Sequence, residues 1–504
     1  MILRIIKSTI FQFVLIFIAV AGGFYFYTQP FNFPYFFRED SFYHVAITKY
    51  MMQHGLIVHK FPFLQYSILK DNFIDWHFGY HLLLIPFIKI FGEISGPKIL
   101  GLLLVGGIFG FIYLIFNAKK FKFAFLYTII LFFLMTAPFF QRMSYIRGPV
   151  LSLFLMVLAV YLFVKNRPIA LAVTMFIYVW AYYLASYLIF IPIFGLIIIQ
   201  ILRKEQIDYR ILLWAVIGYL AGFIINPYFP ENIGSLIVQL QAASQNDRWY
   251  AGQEWASPVA WRWFYATLMA TMLFLSGIVI SIVKNIRQDS KTIAILIFTI
   301  CILILQWKSQ RFSEYWPVWG GVTGIILIGP YVENVLFKIK SNWKKAETWM
   351  ILILIAVFIQ ESIFHGIWQY NNLKKDIQNE LKNPMLNNLK EAIVYLKDHS
   401  EQGEVVFTRW DYFSYLFYFN QKNYYIGGLD PIFTEKYNKQ LFEEYIPLTL
   451  SRSDLDPNVI KSDFHAQWVL VDATQTDLKE KIQKEPEVFQ KVYENAGYTV
   501  FKIL

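Results

Sequence analysis

The chain has 504 residues, 57% of them hydrophobic and 16% charged, with a mean hydropathy of +0.44. So apolar a composition excludes a soluble protein of this size and points to a polytopic membrane protein. The net charge of +10 is read as the basic bias of cytoplasmic loops, not as a nucleic-acid surface; the single cysteine, Cys301, excludes an internal disulfide and a Cys-based zinc site.

Arg4 and Lys7 precede an apolar stretch at 10–27. At about 18 residues it is too long for the core of a cleaved signal peptide. No small-x-small site precedes Gln29 and Pro30, so it reads as a retained signal-anchor span. Further runs long enough to span lie near 97–117, 121–140, 148–165, 168–184, 186–202, 210–226, 261–283, 291–307, 316–337 and 347–366. The fold class expected is a polytopic α-helical membrane protein of about 11 spans. The apolar segment 79–92 is too short to span and is placed as a juxtamembrane helix on the outer side.

Charge sets the orientation. Lys119, Lys120 and Lys122 follow the second span, Lys165 and Arg167 the fourth, and Arg203, Lys204 and Arg210 the sixth. Lys284, Arg287 and Lys291 follow the eighth, and Lys338, Lys340, Lys344 and Lys345 the tenth. Every even-numbered exit is basic, which predicts a cytoplasmic N-terminus and an extracytoplasmic C-terminus. Lys-, Ile-, Phe- and Asn-rich usage suggests a bacterial inner membrane. The expected domains are a transmembrane domain, 1–366, with a large first outer loop at 29–96, and an extracytoplasmic domain, 367–504. The tail reads as a small α/β domain, with strands at 405–408, 424–427, 468–472 and 498–503 and helices at 390–398, 435–446 and 477–494.

Polar residues on the predicted outer face are few. The first loop carries Arg38, Glu39, Asp40, His44, Asp71, Asp75, His77 and His81; the 141–147 turn carries Arg142 and Arg147. The 227–260 loop carries Glu231, Asp247, Arg248 and Glu254, and the 308–315 turn carries Arg311 and Glu314. Carboxylates flanked by arginines suit group transfer from an anionic donor: an acid orients or deprotonates an acceptor, or holds a divalent cation, and arginine grips phosphate in bidentate fashion. Each group also has a structural reading. Glu39 and Asp40 could cap the amphipathic helix that ends at Gly55. Arg142 and Arg147 could anchor the adjacent spans at the interface, and Arg311 with Glu314 could be a local ion pair. Asp71, Asp75, His77 and His81 have a spacing that could form a metal site or could be loop residues and caps. Asp247 and Arg248 read as loop residues.

The order of these features resembles the GT-C superfamily of membrane glycosyltransferases, most of all the oligosaccharyltransferase catalytic subunits. In the first loop the likeness is carried by Asp40, Tyr43, His44, Tyr50, His54 and Gly55. The stretch from His77 to Gly92 is similar to the juxtamembrane segment of protein O-mannosyltransferase relatives, without its His-Pro-Pro prolines. In the tail, Arg409, Trp410, Asp411, Tyr412 and Phe413 resemble the Trp-Trp-Asp-Tyr-Gly acceptor motif, with Arg409 for the first Trp and Phe413 for the Gly.

The resemblance implies an inverting glycosyltransferase. It would move a sugar or glycan from a polyprenyl-phosphate or -diphosphate donor to a protein, lipid or polysaccharide acceptor, on the extracytoplasmic face. By the same resemblance Asp40 is the catalytic acid and Arg311 holds the donor phosphate; on charge alone, Glu39 is expected to assist Asp40, and Arg142 and Arg147 are further phosphate-binding candidates. Glu254, Trp410, Asp411 and Tyr412 contact the acceptor. His44, Asp75, His77 and His81 are the remaining first-loop candidates. The family places a second metal-binding acid in the turn that is 141–148 here, and this turn has none. A Mg2+ or Mn2+ cofactor therefore stays open, with arginine charge as the alternative. Two other functions fit the composition: a transporter or flippase for lipid-linked glycans, and a non-catalytic scaffold that binds them. The spans are almost free of acids and show no inverted repeat, which argues against transport.

Overall fold

The computed structural model describes residues 8–36, 38–244, 254, 256–337, 384–452 and 455–504, with scattered positions between 349 and 379. Most of the predicted eleventh span, the basic cluster before it, and Asp247 and Arg248 lie outside the described residues. The chain forms two compact units. The first comprises 1–34, 76–230 and 253–377; the second comprises 35–75, 231–252 and 378–504.

The first unit is helical. Among the described residues six helices are long and apolar enough to cross a membrane, or seven if one bent pair is counted. They include Thr9–Thr28, Ser290–Lys308 and Tyr315–Phe337, close to the predicted limits. Three predicted spans take a different form. The one near 121–140 is a bent pair, Ala124–Phe133 and Ala137–Met143, turned by 94°; Pro138 at the start of the second helix fixes the corner. The two near 168–184 and 186–202 form one apolar run, Pro168–Leu202, interrupted at Tyr182 and at the 3-10 turn Tyr187–Ile189.

The Phe78–Ala118 helix is broken at Gly92, whose φ of 83° is a conformation that glycine adopts without penalty. The segment before the break has about 14 residues, or roughly 21 Å of helix, against about 30 Å of hydrocarbon. Helices elsewhere approach closely at small residues: a Cβ at Gly218 would lie 2.1 Å from the Ala172 carbonyl oxygen, and one at Gly277 would lie 2.8 Å from that of Gly324. Close backbone approach of this kind is how apolar helices pack in lipid.

The second unit is built on a five-stranded sheet of order β2-β1-β3-β5-β4. The strands are β1 (Val405–Phe407), β2 (Tyr424–Tyr425), β3 (Trp468–Asp472), β4 (Phe489–Glu494) and β5 (Tyr498–Ile503). β1 runs parallel to both β2 and β3, while β5 runs antiparallel to β3 and β4. The four expected strands are present, and β4 corrects the reading of 477–494 as one helix. That helix stops at Gln483, shortly before Pro486, which cannot continue it. The expected 435–446 helix is two, Ile432–Tyr437 and Lys439–Thr449, divided at Asn438, whose side chain caps the second.

The first loop completes this sheet. Tyr425 N donates to Phe63 O at 2.8 Å, Gln65 N donates to Tyr425 O at 2.8 Å, and Tyr66 N donates to Ile426 O at 3.0 Å. The Glu39–His54 helix belongs to the same unit and packs on the Phe413–Phe419 helix. Sequence suggests an amphipathic helix, but residues 41–48 are buried without interruption, because aromatic side chains of the second helix cover part of a face that the pattern left polar.

Candidate functional site

In the first unit three guanidinium groups and two carboxylates gather. Arg142 lies in the last turn of Ala137–Met143, and Arg147 is the N-cap residue of Gly148–Val164. A single short turn thus carries both. Glu254 Oε1 accepts from Arg142 Nη2 at 3.0 Å and from Arg147 Nη1 at 2.8 Å. Glu314, fully buried, accepts from Arg147 Nη2 and sits 3.1 Å from Arg142 Nη2. The i, i+3 spacing of Arg311 and Glu314 suggests a local pair, yet the Glu314 carboxylate reaches across to the arginines of the other turn.

Arg311 acts on Glu254 through its charge. It sits in the 3-10 turn Gln310–Phe312, whose N-cap is Ser309. Ser309 Oγ donates to the Glu254 carbonyl at 2.9 Å, and Gln310 N donates to the Ala256 carbonyl at 3.1 Å. These bonds fasten the strip around Glu254 to the arginine turn. Burial alone would push the Glu254 carboxyl up; Arg147, Arg142 and Arg311 together outweigh it and hold the group well below the usual carboxylate range. Arg142 Nε and Glu314 Oε2 are buried with no hydrogen-bond partner. Such atoms are rare in finished cores.

Behind the charges lies an aromatic wall. Tyr182 leaves helical geometry (φ −167°, ψ 81°) within Pro168–Ser186, and this break brings it within electrostatic range of Arg311, Glu314, Arg147 and Glu254. The His77 ring stacks on it at 5.3 Å. A Cβ on Gly148 would lie 2.3 Å from His77 Cδ2 and 3.1 Å from Tyr182 Cδ2, so the residue after Arg147 must be this small. Ser152 Oγ lies 2.7 Å from the hydroxyls of both Tyr178 and Tyr315, which holds the residue after Glu314. Sequence reasoning missed Tyr182; the only signal for it was an aromatic run, Trp180, Tyr182 and Tyr183, inside a span.

The other predicted residues lie in the second unit, His77 and His81 excepted. Glu39 and Asp40 are the first two residues of their helix, whose N-cap is Arg38, with no side-chain cap hydrogen bond. Asp40 is exposed and His44 buried. Asp75 is buried here, whereas His77 and His81 belong to the first unit. Among the described residues no three His, Cys, Asp or Glu side chains gather to hold a metal ion.

The tail motif forms a polar network at the carboxyl ends of β1 and β3. Arg409 grips Asp411 with two bonds, Nε to Oδ1 at 3.0 Å and Nη2 to Oδ2 at 2.6 Å. Its Nη1 also donates to Asp472 Oδ2 at 3.3 Å, and the Tyr412 hydroxyl donates to that same oxygen at 2.6 Å. Burial, Tyr498 and Asp472 push the Tyr412 hydroxyl far above its ordinary range. Trp410 packs against the core of the unit.

No protein-family model matches the sequence, and no curated protein is significantly similar to it. Solved structures are similar in fold. The apo oligosaccharyltransferase of Archaeoglobus fulgidus superposes with a TM-score of 0.64 over 91% of this chain and 69% of its own, at 13% identity. The same archaeal protein in complex with zinc and sulfate gives a TM-score of 0.59 at 13% identity, over 97% of this chain and 73% of that one. ArnT from Cupriavidus metallidurans, bound to undecaprenyl phosphate, gives 0.57 over 97% of both chains, at 10% identity. The chain therefore shares the fold of these two proteins, a helical membrane unit with a small α/β unit.

Proposed function

We propose that this protein is an inverting GT-C glycosyltransferase that uses a polyprenyl-phosphate or -diphosphate sugar as donor. The observation that carries the reading is the cluster of Arg142, Arg147 and Arg311 against Glu254 and Glu314. Three guanidinium groups gather around two carboxylates, beside buried side-chain atoms of Arg142 and Glu314 that lack a hydrogen-bond partner. That arrangement suits a phosphate anion, which guanidinium groups bind through charge-assisted paired bonds. The fold adds support, since a neighbour of the same fold was crystallised with undecaprenyl phosphate.

The residues do not fit a divalent cation. The turn between the two helices offers guanidinium groups in place of a carboxylate, and both nearby glutamates already pair with them. No step is assigned to a metal. In the proposed reaction the acceptor nucleophile attacks the anomeric carbon, the bond from that carbon to the phosphate oxygen breaks, and the configuration inverts. Asp40 takes the acceptor proton, assisted by the adjacent Glu39. The arginines hold the departing phosphate and stabilise its growing charge. Trp410, Asp411 and Tyr412 are assigned to acceptor contact.

The test is Asp40→Asn in the full-length protein. Transfer of radiolabelled sugar from a lipid-linked donor extract should fall roughly 10²–10⁴-fold, the contribution of a general base. Undecaprenyl phosphate binding should stay as it is in the parent. Transfer at the parental rate would sink the assignment, and unaltered binding together with unaltered membrane glycan profiles would favour a scaffold.

A further inference from the structure

The helix that carries Asp40 is held by aromatic side chains of the tail. Phe42, two residues beyond Asp40, is 1% exposed. Its ring centroid lies 4.7 Å from that of Tyr415, 5.3 Å from that of Tyr418 and 6.0 Å from that of Phe419, all on the Phe413–Phe419 helix. On the other side of the acid pair, Tyr35 and Phe36 pack on the same Phe42 ring. Tyr35 is anchored in turn: Lys390 Nζ donates to its hydroxyl at 2.7 Å and lies over both its ring and that of Phe419.

Between these anchors the backbone is strained. Arg38 has φ 61° and ψ 154°, a region that glycine occupies and side chains avoid. A strained residue persists only where its flanks are fixed, and here both flanks are fixed on the tail. The strain sits immediately before Glu39 and Asp40.

We propose that Phe42 is the positioning residue for Asp40, docking the first turn of its helix on the Tyr415–Tyr418–Phe419 face so that the tail sets where the carboxylate lies. This rests on the reading of Asp40 as the catalytic acid. Its physical content is that general-base catalysis tolerates little displacement: a shift of about 1 Å costs up to roughly 100-fold in rate. The tail is then part of the catalytic apparatus as well as a contributor to acceptor choice.

The test uses the full chain in proteoliposomes, with undecaprenyl phosphate as the binding probe and a radiolabelled lipid-linked sugar extract as donor. Phe42→Ala should lower the maximal transfer rate roughly 10- to 100-fold, while undecaprenyl phosphate affinity and the half-saturating donor concentration change by less than about twofold. Phe42→Leu, which keeps an apolar body on the ring face, should restore most of the rate. Tyr415→Ala, on the tail side, should act in the same way, and the two alanine variants should combine less than multiplicatively because they break one contact. If Phe42→Ala does not accumulate, Tyr415→Ala carries the same test. Turnover at the parental rate overturns the proposal. So does joint loss of turnover and undecaprenyl phosphate binding, which would mark a general loss of fold. Parental transfer by Asp40→Asn would overturn the reading of Asp40 itself, and the proposal with it, whatever Phe42 does.

Discussion

Replacing Arg147 with methionine should be among the most damaging single changes in the first unit. Arg147 is 3% exposed and its partner Glu314 is 0% exposed. Removing one partner of a buried pair leaves the other charge without compensation, at about 3–5 kcal/mol. Arg142 Nη2 remains 3.1 Å from Glu314, which places the cost toward the lower end. The bond to Glu254 adds little, since that side chain is 36% exposed and half-solvated pairs contribute about 0–1 kcal/mol. For a chain of this length the expected fall in Tm is roughly 3–5 °C, read by tryptophan fluorescence on detergent-purified protein. Arg147→Met combined with Glu314→Met should recover most of the loss, because an apolar pair of similar volume removes both buried charges. A single variant with a Tm within about one degree of the parent, or a double variant worse than the single, would refute the view that these charges are held by each other.

Gly148→Ala should drive a methyl group into His77 and Tyr182; crowding of this kind costs about 1–3 kcal/mol, and undecaprenyl phosphate binding should weaken as the aromatic wall shifts against the arginines. Tyr412→Phe removes a donor to the buried Asp472 carboxylate and should destabilise the second unit by about 1–3 kcal/mol, visible as faster amide exchange in β3. The pH dependence follows from Glu254. A carboxyl held below its ordinary value stabilises the fold above its unfolded pKa and loses that contribution only as pH falls through the lower folded value. Binding of undecaprenyl phosphate should therefore show no Glu254 step between about pH 8 and about pH 5; a step there that vanishes in Glu254→Gln would contradict the cluster.

The long apolar helices, the strands β1, β3 and β5, and the two arginine turns were legible because each rests on a local signal: length of apolar run, alternation, or a charge at a span exit. What was not legible is tertiary in origin. Tyr182 becomes part of the charged cluster through a helix break that no glycine or proline announces. Glu314 looked like a neighbour of Arg311 and proved to be a partner of Arg147, 167 residues away. The β4 strand was lost because its alternation is faint and it follows a helical pattern directly. The burial of residues 41–48 on successive positions also defeats a periodicity argument, since more than one face of that helix is covered.

The second unit is discontinuous: it draws on 35–75, 231–252 and 378–504. Some of its bonds close enormous loops, as between Tyr66 and Asp463, 397 residues apart. Closing loops of that length is entropically expensive and slow. The segment that carries Asp40 therefore waits, through most of the synthesis of the chain, for the sheet and aromatic helix on which it packs. A ribosome that stops before the tail leaves behind an inserted bundle with its charged cluster in place and an unfinished first loop. The last residues to be made are thus the ones that let the first loop dock, so this unit begins early in the chain and is completed only at its end.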